Sequence, residues 1–333
     1  MKRFFATLVA LCLLLAGCAP SPAETSQLTW LDLFDTVTTV MGSGDDFPQK
    51  AQSIHDELMR YHRLFNIYNT YEGLNNLKTV NDQAGIAPVQ VDEDILRLLQ
   101  DCKTYYDLTG GKVNVALGSV LSLWHEARTA ALDDPENAKL PDSEALLYAA
   151  RHTDIDSVII DEETGTVYIS DPEVSLDVGA IAKGWAVQQV AETAPEGLLI
   201  SVGGNVVATG AKAENTPWSI GIQDPIGSGY LHAIPLTGGA VVTSGNYQRT
   251  FTVAGKAYHH IIDPATCMPP ELWSGVTAVC PDSGLADALS TALFLLPLEE
   301  GKALAQRCGA EALWIDGNGA EYMTDGFSAL IQQ

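Results

Sequence analysis

The chain of 333 residues is 46% hydrophobic and 18% charged, enough apolar material for one large or two ordinary domains, which argues against a globally disordered chain. Lys and Arg number 18 against 42 Asp and Glu, a formal net charge of −24, and such a surface repels a phosphate backbone, so nucleic acid is set aside as a partner. An anionic small ligand would need a local cluster of backbone N–H groups, a lysine or a metal ion to overcome that field.

The N-terminal stretch reads as a targeting segment. Lys2 and Arg3 precede an apolar run from Phe4 to Ala16 that is too short for a comfortable membrane span, and Leu15-Ala16-Gly17-Cys18 is similar to a lipobox. A signal peptide is therefore expected over residues 1–17, with export, diacylglyceryl attachment at Cys18 as the first mature residue, and lipid anchoring at the extracytoplasmic face of a bacterial membrane. Residues 18–29, with Pro20 and Pro22, read as a flexible tether, and residues 30–330 as the folded domain. Cys102, Cys267, Cys280 and Cys308 show no C-x-x-C framework and no metal-ligand spacing with histidine, so they read as buried free thiols.

Along the chain, Trp30 to Met41 is rich in Val and Thr and predicts a strand. Phe47 to Leu64 carries Ile54, Leu58, Tyr61 and Leu64 at the spacing of a helix face. Asp92 to Leu108 predicts a second amphipathic helix, with Ile95, Leu96, Leu99 and Cys102 inward and Asp92 placed to cap it. β-Branched runs at 158–160 and 167–169 flank an acidic turn containing Gly165 and predict a hairpin, and Ala180 to Thr193 predicts a helix. Further strands are predicted at Leu198 to Val202, Trp218 to Gln223, His232 to Pro235, Ala240 to Thr243 and Thr250 to Val253. Strands concentrated in the middle of the chain with helices around them indicate α+β rather than strict βα alternation.

Two segments carry the densest chemistry. In Ser175 to Ala186 a carboxylate, Asp177, stands at a strand end, small residues follow, and the ensuing helix bears Lys183 about one and a half turns along, within reach of a phosphate docked at its N-terminus. Alone, the segment reads equally as an N-cap, packing glycines and a solvated lysine. Asp287 and Thr291 are four apart, so on a helix both oxygens project from one face, an arrangement suited to a hard cation. Alone, that pair reads as a cap and a hydroxyl bonded to its own helix.

Together these segments resemble the ApbE-type flavin transferases, also called FAD:protein FMN transferases, over roughly Trp30 to Phe327. Asp177-Val178-Gly179-Ala180-Ile181-Ala182-Lys183-Gly184 is similar to that family's D-[LV]-G-[GA]-I-A-K-G signature, and Asp287-Ala288-Leu289-Ser290-Thr291-Ala292 to its D-A-[LW]-[AS]-T-A metal motif. The resemblance implies a T-fold-related, ApbE-like α+β fold, a mixed sheet core with flanking helices. It implies Mg²⁺ held by Asp287, Thr291 and the backbone oxygen of Ala180, with Asp177 and Lys183 contacting FAD as substrate. Leu64-Phe65-Asn66-Ile67-Tyr68 looks like the L-F-[ST]-x-Y segment, which makes Tyr68 a candidate cofactor contact. Val113 to Ser119 occupies the place of F-D-[PV]-[TA]-[VL]-G-P, implying backbone contacts from Ala116, Leu117 and Gly118. Phe34 stands in the family's M-G-T-x or L-G-T-x opening as an adenine- or ring-side contact. His260 and Ile261 match [SH]-H-I-[IL]-D-P, with His260 a charge-neutralising or proton-transfer candidate and His259 a solvent-facing strand histidine. Cys267 replaces the usual Gly of D-P-x-T-G-x-P, so that turn is expected to adopt a different φ. The other histidines give no zinc spacing.

The implied reaction is attack of an acceptor threonine hydroxyl on the FMN-side phosphorus of FAD, with Asp287, Lys183 and His260 as the catalytic set and AMP released. His260 or a carboxylate is the candidate base. Implied acceptors are subunits of Rnf-type or sodium-pumping NADH:quinone reductase complexes, or exported flavoproteins. An FAD pyrophosphatase and a non-catalytic flavin-binding lipoprotein remain the alternatives.

Overall fold

The structure, a computed structural model, describes residues 25–331, so the expected signal peptide, Cys18 and most of the tether lie outside the described residues. Strand β1 (Ser26–Leu33) pairs antiparallel with β2 (Thr36–Gly42), and the two-residue turn between them, Phe34 and Asp35, holds φ +52° at both positions. The single strand expected over Trp30 to Met41 is therefore a hairpin. Asp35 is a residue type that tolerates left-handed backbone, whereas Phe34 is not, and the Phe34 N–H is tied to His62 Nδ1 of the next helix at 3.0 Å. Residues 26–29, expected as tether, belong to β1.

Helix α1 (Phe47–Leu64) has the expected bounds and carries proline in its first turn, where no intrahelical N–H is lost. Asn76 caps α2 (Leu77–Asp82) with a reciprocal bond to Thr79. After the short β3 (Val89–Gln90), α3 (Glu93–Leu108) starts behind Asp92, whose carboxylate accepts the Asp94 N–H at 3.0 Å. Then come α4 (Gly118–Asp133), α5 (Ser143–Ala149) and the expected hairpin of β4 (Val158–Asp161) and β5 (Thr166–Ile169), which joins β3 in a three-stranded sheet. Helix α6 (Ala182–Thr193) precedes β6 (Leu199–Val202), β7 (Asn205–Ala208), β8 (Trp218–Gln223), β9 (Tyr230–Leu236), β10 (Gly239–Gly245), β11 (Phe251–Val253), β12 (Lys256–Tyr258) and β13 (Gly275–Cys280). Helices α7 (Ser283–Phe294) and α8 (Leu298–Arg307), strands β14 (Glu311–Ile315) and β15 (Glu321–Met323), and α9 (Asp325–Ile331) complete the chain.

The main sheet runs β1-β2-β6-β7-β10-β13-β14-β15. Every ladder in it is antiparallel, so the α+β class holds while parallel pairs of a mixed sheet are absent among the described strands. Its two faces bury different cores, as period-2 alternation requires. Ala240, Val242, Val276, Ala278, Ala312 and Trp314 face the helices, whereas Val241, Leu313 and Ile315 face the β8–β9 hairpin and Phe327 of α9. A third apolar cluster joins α4 and α5 to β11, Ile262 and Cys267. Cys102, Cys267 and Cys280 are buried free thiols as expected, and Cys308 is half-buried. Among the described residues no helix is long and apolar enough to cross a membrane.

Candidate active site

A cleft of about 470 Å³ opens between the α6–α7 body and the wall made by α4 and the β10–β11 connection. That is the size of a small-molecule or cofactor site. Its lining gathers residues from Phe34 to Thr291, far apart in sequence.

Helix α6 begins at Ala182, two residues later than expected, because Val178 accepts the N–H groups of Ile181 at 3.0 Å and Ala182 at 2.8 Å in a turn that precedes it. Ile181, wholly buried, occupies the cap position and offers no side-chain acceptor. Asp177 is not the helix cap: its Oδ1 accepts the Gly179 N–H at 2.8 Å across the turn. Burial pushes the Asp177 carboxyl above its ordinary range, against the opposing pull of that N–H bond. Lys183 lies in the first turn of α6, not one and a half turns along. Its Nζ donates to Gly179 O at 3.1 Å and sits 3.4 Å from Asp287 Oδ2.

Asp287, 4% exposed, is a mid-helix residue of α7, since Asp282 caps that helix by accepting the Leu285 N–H. Its Oδ2 also accepts the Gly184 N–H at 2.9 Å. Glycine is required at 184 because a Cβ there would lie 2.3 Å from Ser283 O and 2.5 Å from Asp287 Cβ, so the close approach of α6 to α7 is what delivers the N–H to the carboxylate. Burial raises the Asp287 carboxyl, opposed by Lys183, Gly184 and the Asn205 side chain. Thr291, one turn on, and Ala180 also line the cleft.

Asn205, 1% exposed, lines it too. Its Nδ2 donates to Val202 O at 3.3 Å, while its Oδ1 is buried without a partner. An orphaned buried carbonyl close to a buried carboxylate, in a cleft that Thr291 and Ala180 also line, supplies oxygen donors of the kind that suit a hard cation. Asp287 is the carboxylate of this set, and its other donors are neutral oxygens.

His260 is exposed and lines the cleft. Surrounding protein atoms first, then the Arg249 and His259 charges, hold its imidazole below its ordinary value although the residue is exposed by surface area. Its Nδ1 lies 3.2 Å from Gln248 O, which can only accept, so Nδ1 carries the proton and Nε2 is the basic nitrogen. That tautomer leaves Nε2 as the nitrogen with a free lone pair for a ligand or a proton. His259 is no solvent-facing strand residue: it is 8% exposed, follows β12, contacts Pro270 O at 2.9 Å through Nε2 and takes the Ile261 N–H at 3.3 Å on Nδ1. Ile261 lines the cleft with its N–H already used.

Tyr68 follows α1 in a turn held by Asn66 Oδ1, which accepts the N–H groups of Tyr68 at 2.9 Å and Asn69 at 2.7 Å. Its ring is 5.4 Å from that of His125, and although the residue is 54% exposed, its partial desolvation in the cleft and the Asp177 charge push the phenol up. Phe34 enters from the hairpin tip, with its N–H bonded to His62 Nδ1 at 3.0 Å and its ring edge-on to that imidazole. Burial holds His62 below its ordinary value. Leu117 lines the cleft, but Ala116 and Gly118 do not. Ala116 is fully buried, and a Cβ on Gly118 would lie 2.3 Å from Ser175 O, so close packing of the 116–118 segment on Ser175 fixes the main chain at this edge of the cleft. Cys267 holds φ +54°, the region glycine favours, so the different φ expected there is not found. Arg128, Arg249, Asn205, His62 and Asp35 also line the cleft. No motif pointed to the two arginines, and only folding brings them in.

The ApbE family model matches residues 34–314. An FAD:protein FMN transferase of Treponema pallidum is 35% identical over 260 residues, covering 72% of this chain and 70% of that protein. One from Klebsiella pneumoniae is 32% identical over 280 residues, covering 79% of this chain and 84% of its own. Among solved structures, an ApbE protein from Thermotoga maritima superposes with a TM-score of 0.84 at 29% identity, covering 93% of this chain and all of its own. The cleft with its Asp287–Gly184 contact thus lies within the span matched as a whole, and the chain belongs to the ApbE family.

Proposed function

We propose that the protein is an FAD:protein FMN transferase that moves FMN from FAD to a threonine hydroxyl of an acceptor protein and releases AMP. The observation that carries this reading is the buried Asp287 carboxylate, fixed by the Gly184 N–H close to Asn205 with its orphaned oxygen, in the lining of a cofactor-sized cleft. The names of the matched relatives support it.

In the step proposed, the acceptor oxygen bonds to the FMN-side phosphorus, the bond from that phosphorus to the bridging oxygen breaks, AMP departs with that oxygen, and the hydroxyl proton passes to His260 Nε2. Bound by Asp287, Thr291 and the Ala180 carbonyl, Mg²⁺ would supply charge neutralisation at the diphosphate. Lys183 holds Asp287 in place and offers N–H donors toward the phosphates. Asp177 fixes the Gly179 turn over which the diphosphate would lie. Tyr68 and Phe34 give aromatic surface for a ring of FAD.

The full-length chain in detergent, with FAD, Mg²⁺ and a threonine-bearing acceptor, should give a flavin-fluorescent acceptor band and AMP together, and lose both with EDTA. AMP without the band favours the pyrophosphatase, and retained FAD with neither product favours the binding lipoprotein. His260→Asn should lower turnover by about 10²–10⁴-fold while keeping FAD affinity; unchanged turnover would remove His260 as the base. Acceptors of the Rnf or sodium-pumping reductase type, or exported flavoproteins, suit an enzyme tethered through Cys18 at the outer membrane face. Labelling with radioactive palmitate, lost in Cys18→Ser, tests the tether.

A further inference from the structure

Acids outnumber bases 42 to 18, so a basic side chain without a carboxylate partner inside a cleft is unusual here. The two lysines of the cleft are paired: Lys183 with Asp287 at 3.4 Å and Lys112 with Asp263 at 3.0 Å. The two arginines are not. Among the described residues neither Arg128 on α4 nor Arg249 after β10 has a carboxylate within salt-bridge distance, although both line the cleft. The Nε of Arg128 is buried with no hydrogen-bond partner. Arg249 is held at φ +48°, a conformation unfavourable for a residue with a Cβ. Both charges are close enough to act on the Tyr68 phenol, and Arg249 also acts on Asp177 and His260, so they belong to one electrostatic neighbourhood.

We propose that Arg128 and Arg249 form a phosphate-recognition subsite on the wall of the cleft formed by α4 and the β10–β11 connection, which grips the diphosphate of the dinucleotide from that wall while Asp287 and Lys183 act from the α6–α7 body. The inference rests on the flavin-transferase reading for the identity of the dinucleotide, but not for the phosphate chemistry. A guanidinium offers paired N–H donors matched to phosphate oxygens, and the unbonded buried Nε of Arg128 is a donor that a bound phosphate oxygen would satisfy. The same pair attracts the dianion into a molecule whose overall field repels it. Because neither arginine depends on a metal, this half of the site should act with EDTA present.

The test measures binding of FAD, riboflavin and inorganic pyrophosphate to the full-length chain in detergent and EDTA, by calorimetry, for the parent, Arg128→Gln, Arg128→Lys and Arg249→Asn. Asparagine is chosen at 249 because it tolerates a positive φ, and melting curves check that each variant is folded. Arg128→Gln and Arg249→Asn are each expected to weaken FAD and pyrophosphate by about tenfold and to leave riboflavin within about twofold, with Arg128→Lys recovering part of the loss. Their affinities should also become less sensitive to salt. Folded variants that match the parent, or that lose riboflavin as much as FAD, or a parent with no measurable pyrophosphate binding, overturn the subsite. A parent that binds pyrophosphate through these arginines but not FAD upholds the subsite and overturns the flavin reading instead.

Discussion

At Cys267 the backbone stays at φ +54° although the side chain is not glycine, and Trp124 Nε1 donates to its carbonyl at 2.9 Å. The turn geometry is therefore set by its partners and tolerated by a small side chain. Cys267→Gly should stay within about 1 kcal/mol of the parent, because relief of the strained φ offsets the lost burial in the α4 cluster. Cys267→Val should be worse than Cys267→Gly by about 1–2 kcal/mol, since a β-branched residue resists that region. Chemical denaturation of the two variants checks the order; a valine variant as stable as the glycine one would show that the turn relaxes. At this scale the sequence pointed to Asp177, Lys183, Asp287 and Thr291, whose types and spacing are local facts. It misassigned His259, because whether a histidine after a strand faces solvent or is buried against Pro270 depends on a segment eleven residues away that only the fold brings alongside.

Elements place those residues through two close contacts. The α6–α7 approach depends on Gly184, where any Cβ meets backbone at 2.3 Å. Gly184→Ala should cost about 1–3 kcal/mol by overpacking and should move the Asp287 carboxylate off its N–H donor. The readouts are a lowered Tm and lost Mg²⁺ response; a variant with both unchanged would mean that the helices can part freely. The β1–β2 hairpin depends on His62, whose Nδ1 must be unprotonated to accept the Phe34 N–H. Burial depresses the folded pKa of His62 below its ordinary 6.5, so its stabilising effect is fully present above that value and is lost as pH falls through the lower folded value. The Tm advantage of the parent over His62→Leu should thus be largest near pH 7.5 and shrink on acidification. An advantage that grew as pH fell would reverse the assigned tautomer. Helix bounds at α1 and the cap of α3 were readable because periodicity and a capping carboxylate are short-range signals. The hairpin tip was not, because its left-handed turn is paid for by contacts from α1.

On the scale of the whole molecule, one antiparallel sheet with a different core on each face carries the helices that build the cleft. A buried carboxylate whose pKa is raised is a strain on the folded state at neutral pH, and a cation at Asp287 would relieve it. Mg²⁺ should therefore raise the Tm of the parent with no FAD present, and Asp287→Ala should abolish that rise. An equal rise in the variant would place the cation elsewhere. The sequence by itself determined the class of the fold, the family resemblance and the acid, hydroxyl and lysine of the α6–α7 body, since each rests on residue type and spacing along one segment. Tertiary structure alone decided the neutral tautomer of His260, the orphaned oxygen of Asn205, the hairpin tip over the cleft and the pair of unpaired arginines on the other wall. The reason is physical: burial, desolvation and the choice of hydrogen-bond partner are properties of the space between segments, and that space exists only once the chain has folded.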